Sequence, residues 1–244
     1  MFKEKTVLVT GAAVGIGKAA AIQFAKGGAN VVLLDYNPET LAKAEADVKK
    51  ITSNVLSLVC DISDNEAVIA ACKKATNTFG KIDILVNNAA LWRDRSSFAE
   101  VDLELWKRYL EVNVMGTVYA TKAVVDGMIK NNYGRIINVA SVAGVYGNAN
   151  MVHYSATKGA VISFTKGLAR ELAEYNITVN SVSPGSVSPA AEDDIDFVKS
   201  SDLSYSGRTG SGRENADLMC FLASDSAAYI NGENIIIDGC RKKL

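Results

Sequence analysis

Thr10-Gly11-Ala12-Ala13-Val14-Gly15-Ile16-Gly17-Lys18 sits between a β-branched run, Thr6-Val7-Leu8-Val9-Thr10, and an alanine-rich stretch at 19–26. Three glycines in the order G-x-x-x-G-x-G let a chain turn sharply off a strand and bring bare backbone against a phosphate. The first turn of the helix that follows adds free N–H groups and a partial positive charge. A glycine triplet alone also serves as a plain tight turn. Here a second strand-like run, 30–35, ends in Asp35, eighteen residues beyond Gly17. An acid at that distance can accept hydrogen bonds from an adenosine ribose. The same aspartate could instead close a turn or cap the helix opened by Asn37-Pro38. Strand, glycine turn, helix and acid together point to a nucleotide site.

Working outward, short β-branched runs near 5–10, 30–35, 54–60, 82–87, 134–140, 177–183 and 233–237 alternate with helical patterns. The helical patterns lie near 15–27, 38–50, 65–79, 102–130, 153–175 and 213–223. Parallel neighbours need crossover helices, so this alternation predicts an α/β fold with helices on both faces of one sheet. By analogy with nucleotide-binding folds built on such a turn, a doubly wound sheet of seven parallel strands in the order 3-2-1-4-5-6-7 is expected, with the cofactor at the switch point. Residues 1–244 read as a single domain. Residues 186–212, rich in Ser, Gly and Asp, break the pattern as a substrate loop or lid, or as an ordinary surface excursion.

The 244 residues are 48% hydrophobic and 22% charged, with 26 Lys plus Arg against 27 Asp plus Glu and a formal charge of -1. That balance supplies no basic footprint for nucleic acid. The apolar runs, such as 31–34 and 235–237, are too short to span a membrane. Met1-Phe2-Lys3-Glu4-Lys5 carries no signal-peptide pattern, so a cytoplasmic protein is expected. Cys60, Cys72, Cys220 and Cys240 are scattered and His153 is the sole histidine, which predicts reduced thiols and no metal site.

A second constellation carries chemistry. Strand five ends in Ser141, Tyr154 follows thirteen residues later, and Lys158 lies four beyond it. On a helix, i and i+4 share a face, so the ammonium comes close to the phenol. A free tyrosine, with a pKa near ~10, is a poor base at neutral pH, and a neighbouring cation favours its ionised form. Taken singly, each residue has an ordinary structural reading as a strand end, a packed aromatic or a solvated face.

The spacing Gly11-x-x-x-Gly15-x-Gly17 with Tyr154-x-x-x-Lys158 resembles the short-chain dehydrogenase/reductase family, over nearly the whole chain. Asn87-Asn88-Ala89-Ala90 is similar to the family's Asn-Asn-Ala-Gly signature. Ser183-Pro184-Gly185-Ser186-Val187-Ser188 is similar to its Pro-Gly segment beside the nicotinamide, and Ile237-Asp238-Gly239 follows the family at the tail. Two departures stand out: Ala90 in place of the signature glycine, which would be strained at positive φ, and Cys240 in place of a second glycine.

The resemblance implies a Rossmann-type domain whose tetrad is Asn113, Ser141, Tyr154 and Lys158. It implies that Tyr154 exchanges a proton with the substrate oxygen and that Ser141 orients that oxygen. Lys158 would lower the tyrosine pKa and hold the nicotinamide ribose, and Asn113 would maintain a water relay. Cofactor contacts are implied at Gly11, Gly15, Ile16, Gly17, Asp35, Asp61, Ile62, Asn88, Tyr154, Lys158, Gly185, Val187 and Ser188, with Asp61 on the adenine. Asp35, with no basic residue among Ala12, Ala13, Val14, Tyr36, Asn37 and Pro38, predicts NAD rather than NADP. His153 is expected at the pocket rim.

Trp92, Ser141, Val142, Val145, Tyr146, Met151 and Tyr154 are expected to line a partly apolar substrate pocket, although Trp92 could instead cap the adjacent helix. Glu192, Asp193, Asp194 and Asp196 on the loop would repel an anionic substrate. Asn131-Asn132 and Glu174-Tyr175 lack the basic character that docking an acyl-carrier protein requires. A neutral secondary alcohol or ketone is favoured: steroid-like, polyol or diol, or small aliphatic. A 3-oxoacyl-carrier-protein-type reductase and a catalytically silent nucleotide sensor of the same fold are the alternatives. Val118, Val124, Val125, Ile162 and Phe164 on more than one helix face predict a homo-oligomer, a tetramer in preference to a dimer.

Overall fold

The computed structural model describes residues 1–188 and 194–242. Its seven strands form one parallel sheet in the order 3-2-1-4-5-6-7, as the alternation predicts: β1 (Thr6–Thr10), β2 (Asn30–Asp35), β3 (Val55–Val59), β4 (Ile84–Asn87), β5 (Gly134–Val139), β6 (Ile177–Pro184) and β7 (Asn234–Ile237). Every residue of β1, β4, β5 and β6 is buried, because helices cover both faces.

One layer holds α1 (Gly15–Lys26) and α2 (Pro38–Lys49), joined late in the chain by α8 (Gly212–Ala223). Their core includes Val7, Val9, Phe24, Leu33, Val86 and Met219. The opposite layer holds α3 (Asn65–Phe79), α4 (Leu103–Leu110), α5 (Gly116–Lys130) and α7 (Val152–Leu172), with a core that includes Leu8, Leu34, Leu85, Ile136 and Val179. A short α6 (Val142–Tyr146) follows β5. Polar caps start several helices: Asn37, Asp64, Asp102 and Ser141 accept from backbone amides, and Ser211 with Glu214 forms a reciprocal box.

Two sequence expectations change. The helix expected over 102–130 is divided by a π-helical turn at Glu111–Met115 that contains Asn113. The helix expected over 153–175 ends at Leu172 and tightens into a 3-10 turn at Ala173–Tyr175. The described part of 186–212 carries isolated β-bridges. Val187 bridges Gly210, Ser200 bridges Arg208, and Ser204 bridges Arg241 of the C-terminal segment.

Candidate active site

The glycine turn is built as a cradle. Gly11 and Gly15 take φ of 62° and 56°, values that a side chain disfavours. A Cβ on Gly17 would strike the Gly11 carbonyl, whereas one on Gly15 would meet nothing within 4 Å. The turn is closed on one side by packing and open on the other, as backbone receiving a pyrophosphate must be. Ile16 is half-buried behind it. Asn88 knits the cradle to β4: its Nδ2 donates to the carbonyls of Thr10 (3.1 Å) and Gly11 (2.9 Å), and its amide donates to Thr10 Oγ1 (3.0 Å).

Asp35 is buried at the end of β2, and its two oxygens accept from the amides of Ala13 (3.0 Å) and Asn37 (3.1 Å). It therefore fills the turn-closing role open to it in the sequence, and each oxygen keeps a lone pair for a ribose hydroxyl. Lys18, the cation closest in sequence to the glycines, is buried and ion-paired with Asp47 at 2.8 Å. Asp61 accepts from the amide (2.9 Å) and hydroxyl (2.6 Å) of Ser63 and pairs with Arg108 (3.2 Å). Partial burial raises its pKa, but these bonds outweigh that and hold the carboxyl low. Ile62 is buried against Gly116.

On the other side of the switch point, Gly185 is fixed by its amide bond to the Ile237 carbonyl (2.9 Å), and Asp238 leaves no room there for a Cβ. Val187 bridges Gly210, and the Ser188 hydroxyl is buried without a partner among the described residues.

Ser141, at the end of β5, caps α6 by accepting from the Ala143 amide (3.1 Å). Burial holds the Tyr154 phenol above its ordinary value, and the neighbouring Ser141 side chain offsets part of that rise. Lys158 lies one helical turn beyond Tyr154 on α7. Its Nζ lies 5.9 Å from the Tyr154 ring centre and donates to the Val139 carbonyl at 2.6 Å. Burial pushes the Lys158 ammonium down to about 8, so it still carries charge over much of the neutral range.

Asn113 accepts from the Leu91 amide (2.7 Å) and donates to the Leu91 carbonyl (3.0 Å) and to Thr157 Oγ1 (3.1 Å). Thr157 in turn donates to the Tyr154 carbonyl (2.8 Å). Sequence reasoning passed over Thr157, although it lies one residue before Lys158 and on the same helix. The four tetrad residues thus gather at the C-terminal ends of β4 and β5, beside the cradle.

Among the expected pocket residues, Trp92, Val145 and Tyr146 are exposed, and Val142 and Met151 are buried. His153 is not at a rim: it is 1% exposed, with the rings of Tyr109 and Trp106 packed against it. Glu192 and Asp193 lie outside the described residues. Asp196 pairs with Arg213 at 3.4 Å, and the Ile195 carbonyl accepts from the Arg213 amide. A Cβ on Gly212 would touch both Ile195 and Gly15. Asp196 is therefore partly neutralised, which lessens its weight in the argument against anionic substrates. Ala90 does not take a positive φ and is unstrained, whereas Cys240 does, at 60°.

The short chain dehydrogenase family model matches residues 5–196. A 3-oxoacyl-acyl-carrier-protein reductase of Thermotoga maritima is 39% identical over 238 residues, 96% of each chain. The 2-dehydro-3-deoxy-L-rhamnonate dehydrogenase (NAD(+)) of a Sphingomonas species is 34% identical over 98% of this chain and 96% of its own. Among solved structures, an NAD+-bound xylitol dehydrogenase superposes with a TM-score of 0.89 at 37% identity, covering 97% and 98% of the two chains. A levodione reductase superposes with 0.90 at 29%, covering 98% of each. Among the described residues, no helix is long and apolar enough to cross a membrane.

Proposed function

We propose that this chain, which belongs to the short-chain dehydrogenase family, uses NAD to interconvert a secondary alcohol and its ketone. The observation that carries the reading is Tyr154 beside Ser141, with Lys158 buried one helical turn away.

Bound NAD would accept or donate the hydride at its nicotinamide ring. The open side of the Gly15 turn and the N-terminus of α1 would take its pyrophosphate, Asp35 its adenosine ribose, and Ser188 a polar atom near the nicotinamide. Ser141 would hold the substrate oxygen against the Tyr154 hydroxyl, which gives up its proton in ketone reduction and takes one in alcohol oxidation. Lys158 favours the ionised phenol once a ligand draws its ammonium off the Val139 carbonyl. Asn113 holds the Leu91 backbone and the Thr157 hydroxyl around this centre.

The preference for NAD rests on Asp35, which would face a 2′-phosphate with like charge. Lys18 is ion-paired with Asp47. Two of the similar proteins carry NAD in their names. The half-buried Val118, Val125, Ile162 and Phe164 and the exposed Leu103 and Leu110 favour a homotetramer.

A second reading, reduction of a 3-oxoacyl thioester, is favoured by the names of several relatives. Against it stand the exposed Asn131, Asn132 and Glu174 where docking calls for basic residues. The test is a nicotinamide absorbance screen of xylitol, 2-butanol, cyclohexanol and a 3-hydroxysteroid with NAD, with acetoacetyl-CoA and NADH alongside. Turnover of an alcohol is expected. Thioester reduction alone would favour the second reading, and no turnover of any compound would refute both.

A further inference from the structure

The segment between β4 and α4 that walls the substrate side is held at three points. Leu91 is bonded in both directions to Asn113, and the Ser96 amide donates to the Asn150 carbonyl at 2.9 Å. Between them Asp94 meets Tyr109, a residue of α4 that is wholly buried. The Tyr109 hydroxyl donates to Asp94 Oδ2 at 2.9 Å and accepts from the Asp94 amide at 3.2 Å. Trp92 and Arg93 project between these pins, with the Arg93 guanidinium 5.2 Å from the Trp92 ring centre.

The Tyr109 ring faces the other way. It packs edge-on against His153, at 4.4 Å between centres and 89°, and against Tyr154, at 6.4 Å and 86°. Both belong to the first turn of α7. One side chain therefore touches the proton-exchanging tyrosine with its ring and the pocket wall with its hydroxyl.

We propose that Tyr109 is a positioning residue: its hydroxyl sets the substrate-pocket wall at Asp94, and its ring sets the register of that wall against Tyr154. A phenylalanine would fill the same space among Trp106, His153 and Tyr154, so the packing alone does not call for a hydroxyl. A buried phenol needs a partner, and Asp94 supplies an acceptor and a donor together. Burial, with the Asp94 carboxylate beside it, pushes the Tyr109 phenol well above its ordinary range, so it remains a neutral donor. Asp94 is itself exposed, so water can replace the bond when the hydroxyl is removed. Loss of the hydroxyl then frees the wall at little cost to the fold.

The proposal rests on the oxidoreductase reading above, and the experiment separates the two. The full chain is compared as wild type, Tyr109→Phe, Asp94→Ala, Asp94→Asn and the Tyr109→Phe/Asp94→Ala double variant. Steady-state kinetics use xylitol and cyclohexanol with NAD, and hydrogen exchange is read at the 91–96 amides. Tyr109→Phe is expected to raise substrate KM roughly tenfold, equivalent to about 1.4 kcal/mol, while the NAD KM and melting temperature hold and exchange at 91–96 quickens. Asp94→Asn keeps an acceptor oxygen and the backbone donor, so it should behave as wild type. The double variant should be no worse than Tyr109→Phe, which already removes both bonds, while Asp94→Ala removes one of them. Unchanged substrate KM and exchange in Tyr109→Phe would overturn the proposal, as would equal losses in NAD binding and melting temperature. If wild type turns over neither alcohol, the exchange comparison decides the pin by itself: faster exchange in Tyr109→Phe with rescue in Asp94→Asn sustains it, and unchanged exchange overturns it.

Discussion

Asn113 and Leu91 are bonded to each other in both directions: the Leu91 amide donates to Asn113 Oδ1 at 2.7 Å, and Asn113 Nδ2 donates back to the Leu91 carbonyl at 3.0 Å. The π-helical turn at Glu111–Met115 holds Asn113 where one carboxamide serves the backbone of the pocket wall and Thr157 of α7. Asn113→Ala leaves an amide and a carbonyl of Leu91 without partners. It should lower unfolding stability by about 1–3 kcal/mol in urea titration and reduce turnover. Asn113→Asp keeps the acceptor for the Leu91 amide and should fall between. Wild-type stability in Asn113→Ala would contradict this role.

The carboxylate of Asp35 should make NAD the better cofactor by at least tenfold in kcat/KM, about 1.4 kcal/mol. Asp35→Ala combined with Tyr36→Arg should narrow or reverse the preference, because it removes the like charge and places a cation within reach. It should also cost stability through the lost bonds to Ala13 and Asn37. Equal efficiency with both cofactors in the wild type would remove this role from Asp35.

Burial lowers Lys158 from the ordinary 10.5 to about 8 in the folded chain. Below pH 8 both folded and unfolded chains hold the proton, and the native state bears the full cost of the buried charge, about 3 kcal/mol. Between pH 8 and 10.5 the unfolded chain binds more protons, so native stability rises with pH through that window. Urea midpoints of the cofactor-free protein should show wild type gaining on Lys158→Met from pH 8 to 10.5. A difference that does not change with pH would contradict the burial of a charged Lys158.

Cys240 holds a φ of 60° while its amide donates to Asp238 and its carbonyl accepts from Tyr205. Cys240→Gly relieves a left-handed residue and keeps both backbone bonds, so it should stabilise the fold by about 1 kcal/mol. Cys240→Val, branched at Cβ, should destabilise it. Thermal melts of the two variants check the sign.

The sheet was legible because its strands are near-continuous apolar runs and Gly11, Gly15 and Gly17 mark the first crossover. Ser141, Tyr154 and Lys158 stood out as candidates through their spacing taken with the family resemblance, and the fold sets them at the C-terminal end of β5 and the start of α7. The π-helical turn was not, because periodicity over 102–130 carries no trace of the bond from Asn113 to Leu91, a residue 22 positions away. The strain at Cys240 and its absence at Ala90 depend on φ, which residue type alone does not fix. Tyr109 carries no motif signal and His153 was expected at the pocket rim, and only three-dimensional packing puts the Tyr109 ring against both His153 and Tyr154.

The most direct measurement compares wild type with Tyr154→Phe in turnover of the best alcohol from the screen and in NAD binding by fluorescence titration. Removing the hydroxyl while keeping the ring should cut turnover by ~10²–10⁴-fold, the usual worth of general acid–base catalysis, with NAD affinity retained. A variant that keeps more than about a tenth of wild-type turnover, against that expected range, would contradict the assignment of Tyr154 as the group that exchanges the substrate's proton.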